Sequence, residues 1–239
     1  MSASAHRSGP SGDHAVERRT FVLIPGAGGT AWYWNRVVPL LREAGHEAIA
    51  VDLPGDDPTA GLPEYASLVS SAIGSRDNVV LVAMSLGGFT APLVAAKVSV
   101  SAMVFVNAMI PRPGETPGEW WDDTGWSDAR VAAAKRGGYR TEFDLAVYFL
   151  HDVQPDIAAA GEPYQRPEAD VAFGSACDFS AWPPIPIRAV AGADDRFFPV
   201  AFQQALARDR LGIEADVLPG GHLIALAHPA ELASYLLAL

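Results

Sequence analysis

Cysteine is nearly absent from this chain. Cys177 stands alone, so no intrachain disulfide can form, and a reducing, cytoplasmic location is expected. Lysine is almost as scarce: Lys97 and Lys135 are the two, the other basic residues are arginines, and no basic run exceeds Arg18-Arg19. Phosphate backbones and anionic membranes bind cationic faces, and the formal net charge is −11. Neither nucleic acid nor a membrane surface is therefore an expected partner. A transmembrane helix is not expected either, because no stretch approaches about eighteen uninterrupted apolar residues. Residues 1–19 are rich in Ser, Gly, His and charge and contain no apolar run. They read as a disordered leader and not as a secretory signal.

The 239 residues are 49% hydrophobic and 19% charged, which suits one globular domain with room for an inserted segment. Short apolar runs alternate with helical patterns. Strands are expected at Phe21–Ile24, Glu47–Val51, Val79–Met84, Ala102–Val106, Ile187–Ala191 and Glu214–Leu218. Helices are expected at Trp34–Glu43, Pro63–Ile73, after Leu86, and at Ala230–Leu239. Continuous apolar strands with helices between them imply a mainly parallel six-stranded sheet, doubly wound, covered on both faces.

Three strand ends carry chemistry. Val79-Val80-Leu81-Val82-Ala83-Met84 runs into Ser85-Leu86-Gly87-Gly88 and then into a helical pattern. A serine on a sharp strand-to-helix turn presents its hydroxyl above the sheet as a nucleophile elbow. An N-cap would explain Ser85 alone, but two glycines in the first turn weaken a helix and need another reason. Ile187–Ala191 ends in Gly192-Ala193-Asp194-Asp195, and Val217-Leu218 ends in Pro219-Gly220-Gly221-His222. A serine hydroxyl needs a base, and the base needs a carboxylate to hold its tautomer, so Ser85, His222 and one of the two aspartates form a candidate triad. The residues alone leave Asp194 and Asp195 open. His46, His151 and His228 read as surface or packing residues.

In this order of serine, acid and histidine, the chain resembles the α/β-hydrolase superfamily, and within it the small lidded esterases and methylesterases. The resemblance runs from about Thr20 to Leu239. It implies an α/β-hydrolase fold and a cofactor-independent carboxylic ester hydrolase, with a small-molecule ester as partner and no metal. It selects Asp195 as the acid, because Gly192, Asp195 and Pro199 match the family spacing. The developing oxyanion needs two N–H donors. The Leu86 amide, directly after Ser85, is one. The family loop after the first strand implies Ala27 as the other, with Pro25 where the family carries histidine. The first glycine of the family's Gly-x-Ser-x-Gly is Ala83 here. The two antiparallel strands the family often places before Phe21 are expected to be missing.

The interval 108–184 breaks the alternation and divides the core into residues 20–107 and 185–239. The resemblance makes it a helical lid. Half of the chain's aromatic residues fall there, so Trp120, Trp121 and Trp126 are candidate pocket residues, at least one of them over Ser85. Aromatics forming the lid's own core are the competing reading. Glu115, Glu119, Asp122, Asp123 and Asp128 read as a solvated acidic face. Two further readings compete for the function. Gly26-Ala27-Gly28-Gly29-Thr30-Ala31 after a strand, with Asp52 at the end of the next, fits a dinucleotide loop and an NAD(P)-dependent oxidoreductase. The same hydrolase scaffold also supports lyases and cofactor-free oxygenases. Lyases of this kind generally add a lysine near the histidine, and residues 220–229 contain none. Oligomeric state leaves no mark on the sequence.

Overall fold

The computed structural model describes residues 18–239. The leader expected over residues 1–19, and the missing strands expected before Phe21, fall almost entirely outside the described residues. Six parallel strands form one sheet in the order β2-β1-β3-β4-β5-β6. They are β1 (Thr20–Ile24), β2 (Glu47–Ala50), β3 (Val79–Met84), β4 (Ala102–Val106), β5 (Ile187–Gly192) and β6 (Asp216–Leu218). Every residue of β1 and β3 is buried, which is why these segments read as unbroken apolar runs.

Alternation along each strand feeds two separate cores. Val22, Ile24, Leu81, Ala83 and Phe105 point to one face, against α2 (Leu62–Ile73), α3 (Gly87–Ala95) and α9 (Val200–Leu211). Phe21, Leu23, Val80, Val82 and Val104 point to the other, against α1 (Val37–Glu43), α10 (Ile224–Ala227) and α11 (Pro229–Leu237). Each of the valine, leucine, isoleucine and phenylalanine side chains among them contributes about 1.5–3 kcal/mol on full burial. The helix expected from Trp34 begins late. A 3-10 turn (Ala31–Trp34), with the Thr30 side chain accepting from Trp32 N, precedes α1.

Between β4 and β5 lie five short helices: α4 (Pro117–Asp123), α5 (Trp126–Gly137), α6 (Leu145–Tyr148), α7 (Pro155–Gly161) and α8 (Asp170–Gly174). The α4 start is a capping box in which Thr116 and Glu119 satisfy each other's backbone amides. One residue assigned to a solvated acidic face is buried instead. Glu115 forms a two-pronged ion pair with Arg210 of α9, its Oε1 lying 3.0 Å from Arg210 Nη2. The pair pins the start of the insert to the core. Cys177 is also buried, its thiol against the Phe89 carbonyl at 3.1 Å, and burial pushes its pKa up. No helix among the described residues is long and apolar enough to cross a membrane.

The sheet order reverses at β1. The chain leaves β1 for β2 on one side, then crosses to β3 on the other. Open parallel sheets bind ligands above the carboxyl ends of strands flanking such a reversal. Here the loop after β1 and the turn after β3 meet so closely that a Cβ on Gly26 would lie 2.8 Å from Ser85 Cβ.

Candidate active site

Ser85 sits between β3 and α3 with φ +49°, a left-handed conformation that costs a non-glycine residue about 1–3 kcal/mol. The turn is closed by hydrogen bonds from Gly88 N (3.1 Å) and Met109 N (3.0 Å) to the Ser85 carbonyl. The two glycines have a steric reason. A Cβ on Gly87 would strike the Pro25 carbonyl oxygen, and one on Gly88 the Met109 carbonyl oxygen. Ala83 is buried in the strand and its methyl joins the α2/α3 core.

His222 follows β6 and is fully buried. Its Nε2 lies 3.2 Å from Ser85 Oγ, and its Nδ1 lies 2.8 Å from Asp195 Oδ2. Asp195 is buried after β5 and accepts from the Phe197 and Phe198 amides, each at 2.8 Å, on its other oxygen. Asp194 is exposed, and its backbone amide donates to the Gly220 carbonyl at 3.0 Å. The imidazole stands edge-on to Phe149, Phe197 and Phe198, with ring centroids 4.7, 5.2 and 5.0 Å away. These rings pack against the imidazole and contribute to its burial. In such a geometry a carboxylate on Nδ1 can hold the proton there and leave the Nε2 lone pair facing the serine hydroxyl, an arrangement suited to drawing a proton from Oγ.

Ser85 and His222 open into a cavity of about 380 Å³, lined largely by apolar side chains such as Met84, Met109, Phe149, Leu150 and Leu226. Ala27 and Leu86 both line it beside Ser85. Of the three tryptophans, Trp121 alone lines it. Trp120 is fully buried against Phe198 and Phe202, and its indole N–H donates to the Ile110 carbonyl at 3.1 Å. Trp126 packs on Trp121 and Phe197 and donates to the Phe197 carbonyl at 2.7 Å. The pocket assignment of Trp120 and Trp126 gives way to a packing role, because an indole N–H inside an apolar insert is drawn to a free carbonyl.

The model of the alpha/beta hydrolase family matches residues 21–235. The chain belongs to that family. Among its relatives, Norfluorocurarine synthase 1 from a Strychnos species is 24% identical, over 92% of this chain and 95% of that protein. Probable esterase PIR7A from Oryza sativa subsp. indica is 36% identical over a shorter stretch, 41% of this chain and 42% of its own length. The crystal structure of polyneuridine aldehyde esterase superposes with a TM-score of 0.75 at 20% identity, covering 93% of this chain and 99% of the other. That last likeness is one of fold.

This alpha/beta hydrolase closes its glycine loop against a dinucleotide. The Gly28 amide donates to Glu168 Oε2 at 2.6 Å and the Ala31 amide to Asp52 Oδ1 at 2.8 Å. Two amides that would face a pyrophosphate thus already face carboxylates, whose charge repels phosphate. Asp52 is further engaged by Arg166 at 3.1 Å. The oxidoreductase reading does not survive this arrangement. Lys135 is exposed on α5 and does not line the cavity, so it supplies no lyase-type lysine.

Two residues of the hydrolase site went unread in the sequence. Asn107 follows β4 with φ +45°. Its Nδ2 donates to the Gly221 and His222 carbonyls at 2.9 and 3.1 Å, and its Oδ1 accepts from Gly192 N at 2.7 Å. Gln203 of α9 donates to Asp195 Oδ2 at 3.1 Å and to Asn107 Oδ1 at 3.2 Å. Together they tie the acid loop to the histidine loop. A polar residue ending an apolar parallel strand, as Asn107 does, was the available signal; Gln203 offered none.

Proposed function

We propose that this chain is a cofactor-independent serine hydrolase of carboxylic esters. The observation that carries the reading is the contact series from Asp195 to His222 to Ser85, at 2.8 and 3.2 Å, with the serine held in a strained turn at the floor of an apolar cavity. The names of the rice relative and of the structural neighbour, both esterases, support it.

Ser85 Oγ attacks the ester carbonyl while His222 Nε2 takes the hydroxyl proton. The carbonyl oxygen becomes an oxyanion, which the Ala27 and Leu86 amides receive. His222 then gives its proton to the departing alkoxide, leaving an acyl-serine and the free alcohol. A water attacks the acyl group by the same route in reverse, His222 again moving the proton, and the acid leaves. Asp195 holds the imidazole and stabilises its positive charge throughout. The helical insert acts as a lid that roofs the cavity, and its Trp121, Phe149 and Ile157 favour an apolar or aromatic substrate body. The volume lies at the small end of the ligand-pocket range of about 300–1,000 Å³, so a small ester fits best.

The test is a series of p-nitrophenyl esters of increasing acyl length, run beside fluorophosphonate labelling. Hydrolysis together with label on Ser85, both lost in Ser85→Ala, is the expected result. Undiminished turnover in a folded Ser85→Ala protein overturns the reading.

A further inference from the structure

The insert grips the turn that carries the histidine. Asp152, in the loop between α6 and α7, accepts from the Gly221 amide on its Oδ2 at 2.5 Å. Gly221 immediately precedes His222. The same residue's carbonyl is held from the opposite side by Asn107 Nδ2 at 2.9 Å. Gly221 is therefore held at its N–H by the insert and at its C=O by the end of β4, which fixes the two successive peptide units that lead into the histidine. The packing leaves no slack, because a Cβ on Gly221 would lie 2.8 Å from both Asp152 Oδ1 and His151 Nε2.

The second carboxylate oxygen is harder to explain by stability. Asp152 Oδ1 is buried without a hydrogen-bond partner, and so are His151 Nε2 and the Tyr33 hydroxyl. A buried charge that is only half satisfied costs stability relative to an apolar residue of the same shape. Burial lowers the His151 pKa against the opposing pull of Asp152, and burial together with the charges of Asp195 and Asp152 raises that of Tyr33. His151 is thereby disfavoured as a cation and the Tyr33 hydroxyl is kept protonated and neutral, so neither offers the carboxylate an opposite charge. What the carboxylate does supply is a charge-assisted bond to an amide, about twice as strong as a neutral one. That bond lies one residue from the imidazole.

We infer that Asp152 is a positioning residue for His222: it fixes the Gly221 amide in the histidine turn and makes proton transfer at Ser85 depend on the insert being docked. The inference rests on the ester-hydrolase reading above. Two contacts from the insert to the acid loop run in parallel, from Trp126 Nε1 to the Phe197 carbonyl at 2.7 Å and from Arg196 Nη1 to the Val147 carbonyl at 3.2 Å. Both loops that carry the proton relay are thus held from above, and Asp152 is the grip on the histidine side.

The experiment compares Asp152→Ala, Asp152→Leu and Asp152→Asn with Asp144→Ala, which removes the half-buried N-cap of α6 and so loosens the insert without removing a contact to the relay residues. Leucine fills the aspartate's volume without accepting, and asparagine keeps an acceptor oxygen. Turnover of p-nitrophenyl acetate is measured well below each Tm and divided by active sites counted by fluorophosphonate titration. The downfield proton resonance of His222 Nδ1–H is recorded on each free protein. Asp152→Ala and Asp152→Leu should lose about 10–100-fold in kcat with KM little changed, the scale of an ångström-level misplacement. Their His222 resonance should shift or broaden, Asp152→Asn should restore both readouts, and Asp144→Ala should lower Tm alone. Wild-type kcat per site in Asp152→Leu overturns the inference, as does a loss that Asp152→Asn shares and that follows Tm as in Asp144→Ala. Ser85→Ala in the same assay separates the two readings. If it keeps turnover, the hydrolase assignment fails; if it loses turnover while Asp152→Leu does not, only the positioning role fails.

Discussion

The side-chain amide of Asn107 donates to the backbone carbonyl of His222 at 3.1 Å, so the histidine hangs from the end of a strand that carries none of the relay residues. The same side chain holds Gly192 N at 2.7 Å, at the start of the acid turn. One buried amide thereby sets the separation of the two loops. Asn107→Leu should lower kcat by at least about tenfold, since both loops lose their common anchor and several buried groups lose their partner. Steady-state kinetics and Tm on the same preparation check this; unchanged kcat would make Asn107 a mere space-filler.

Ser85→Ala should lower kcat by on the order of 10⁴–10⁶ and abolish fluorophosphonate labelling. Ser85→Gly should be equally inactive and more stable than Ser85→Ala by about 1 kcal/mol, because glycine adopts φ +49° without strain. Thermal melts of the two inactive proteins measure the difference. Equal melting would mean the turn is not strained.

Asp195→Asn should cost about 10⁴ in rate, since an amide no longer holds the productive tautomer of His222. Asp194→Asn should stay near wild type, because its side chain is exposed and its turn contact is made by the backbone. A larger loss from Asp194→Asn would exchange the two roles.

Trp121→Ala should weaken hydrolysis of long-chain or aromatic esters and leave acetyl esters little changed, because the indole lines the cavity. Trp120→Ala should instead cost about 3–5 kcal/mol of stability with no substrate preference, since it empties a fully buried site. Comparing kcat/KM across acyl lengths with Tm separates the two patterns.

Breaking the buried Glu115–Arg210 pair from one side, as in Glu115→Ala, should cost about 3–5 kcal/mol and lower Tm by roughly 10 °C. Replacing both partners with apolar residues, Glu115→Leu with Arg210→Met, should recover much of that loss. A double mutant as unstable as the single one would contradict the desolvation account.

Glu168 gives a pH signature. Burial raises its pKa above the ordinary 4.5, against the bonds it accepts from Tyr65 and Gly28. A raised carboxyl pKa contributes stability that is fully present below the unfolded value and is lost as pH rises through the folded one. The Tm of Glu168→Gln relative to wild type should therefore climb between about pH 4 and pH 8. A flat difference over that interval would show that the carboxylate is not desolvated.

Much of the fold was legible because a parallel sheet covered on both faces buries its inner strands almost entirely. β1, β3 and β4 therefore appear as apolar runs broken by turn residues. Ser85 and His222 stood out because each ends such a run beside glycines. The rest depended on distant partners. Glu115 looked like one of several surface acids because Arg210 lies 95 positions away. Gln203 looked like an ordinary helix residue because its partners lie on two other loops. The tryptophans could not be sorted by spacing, since Trp120 and Trp121 are adjacent yet one is sealed in the core and the other faces the cavity.

The grip of the insert on the loops beneath it limits its interchangeability. Exchanging residues 108–184 for the equivalent piece of another hydrolase is an obvious route to new selectivity. Here the transplant would also remove the Asp152 bond to Gly221, the Trp126 bond to Phe197 and the Val147 carbonyl that receives Arg196. A chimera that changes the roof while omitting those three anchors loosens the floor, so selectivity in this scaffold is better altered one side chain at a time, beginning with Trp121.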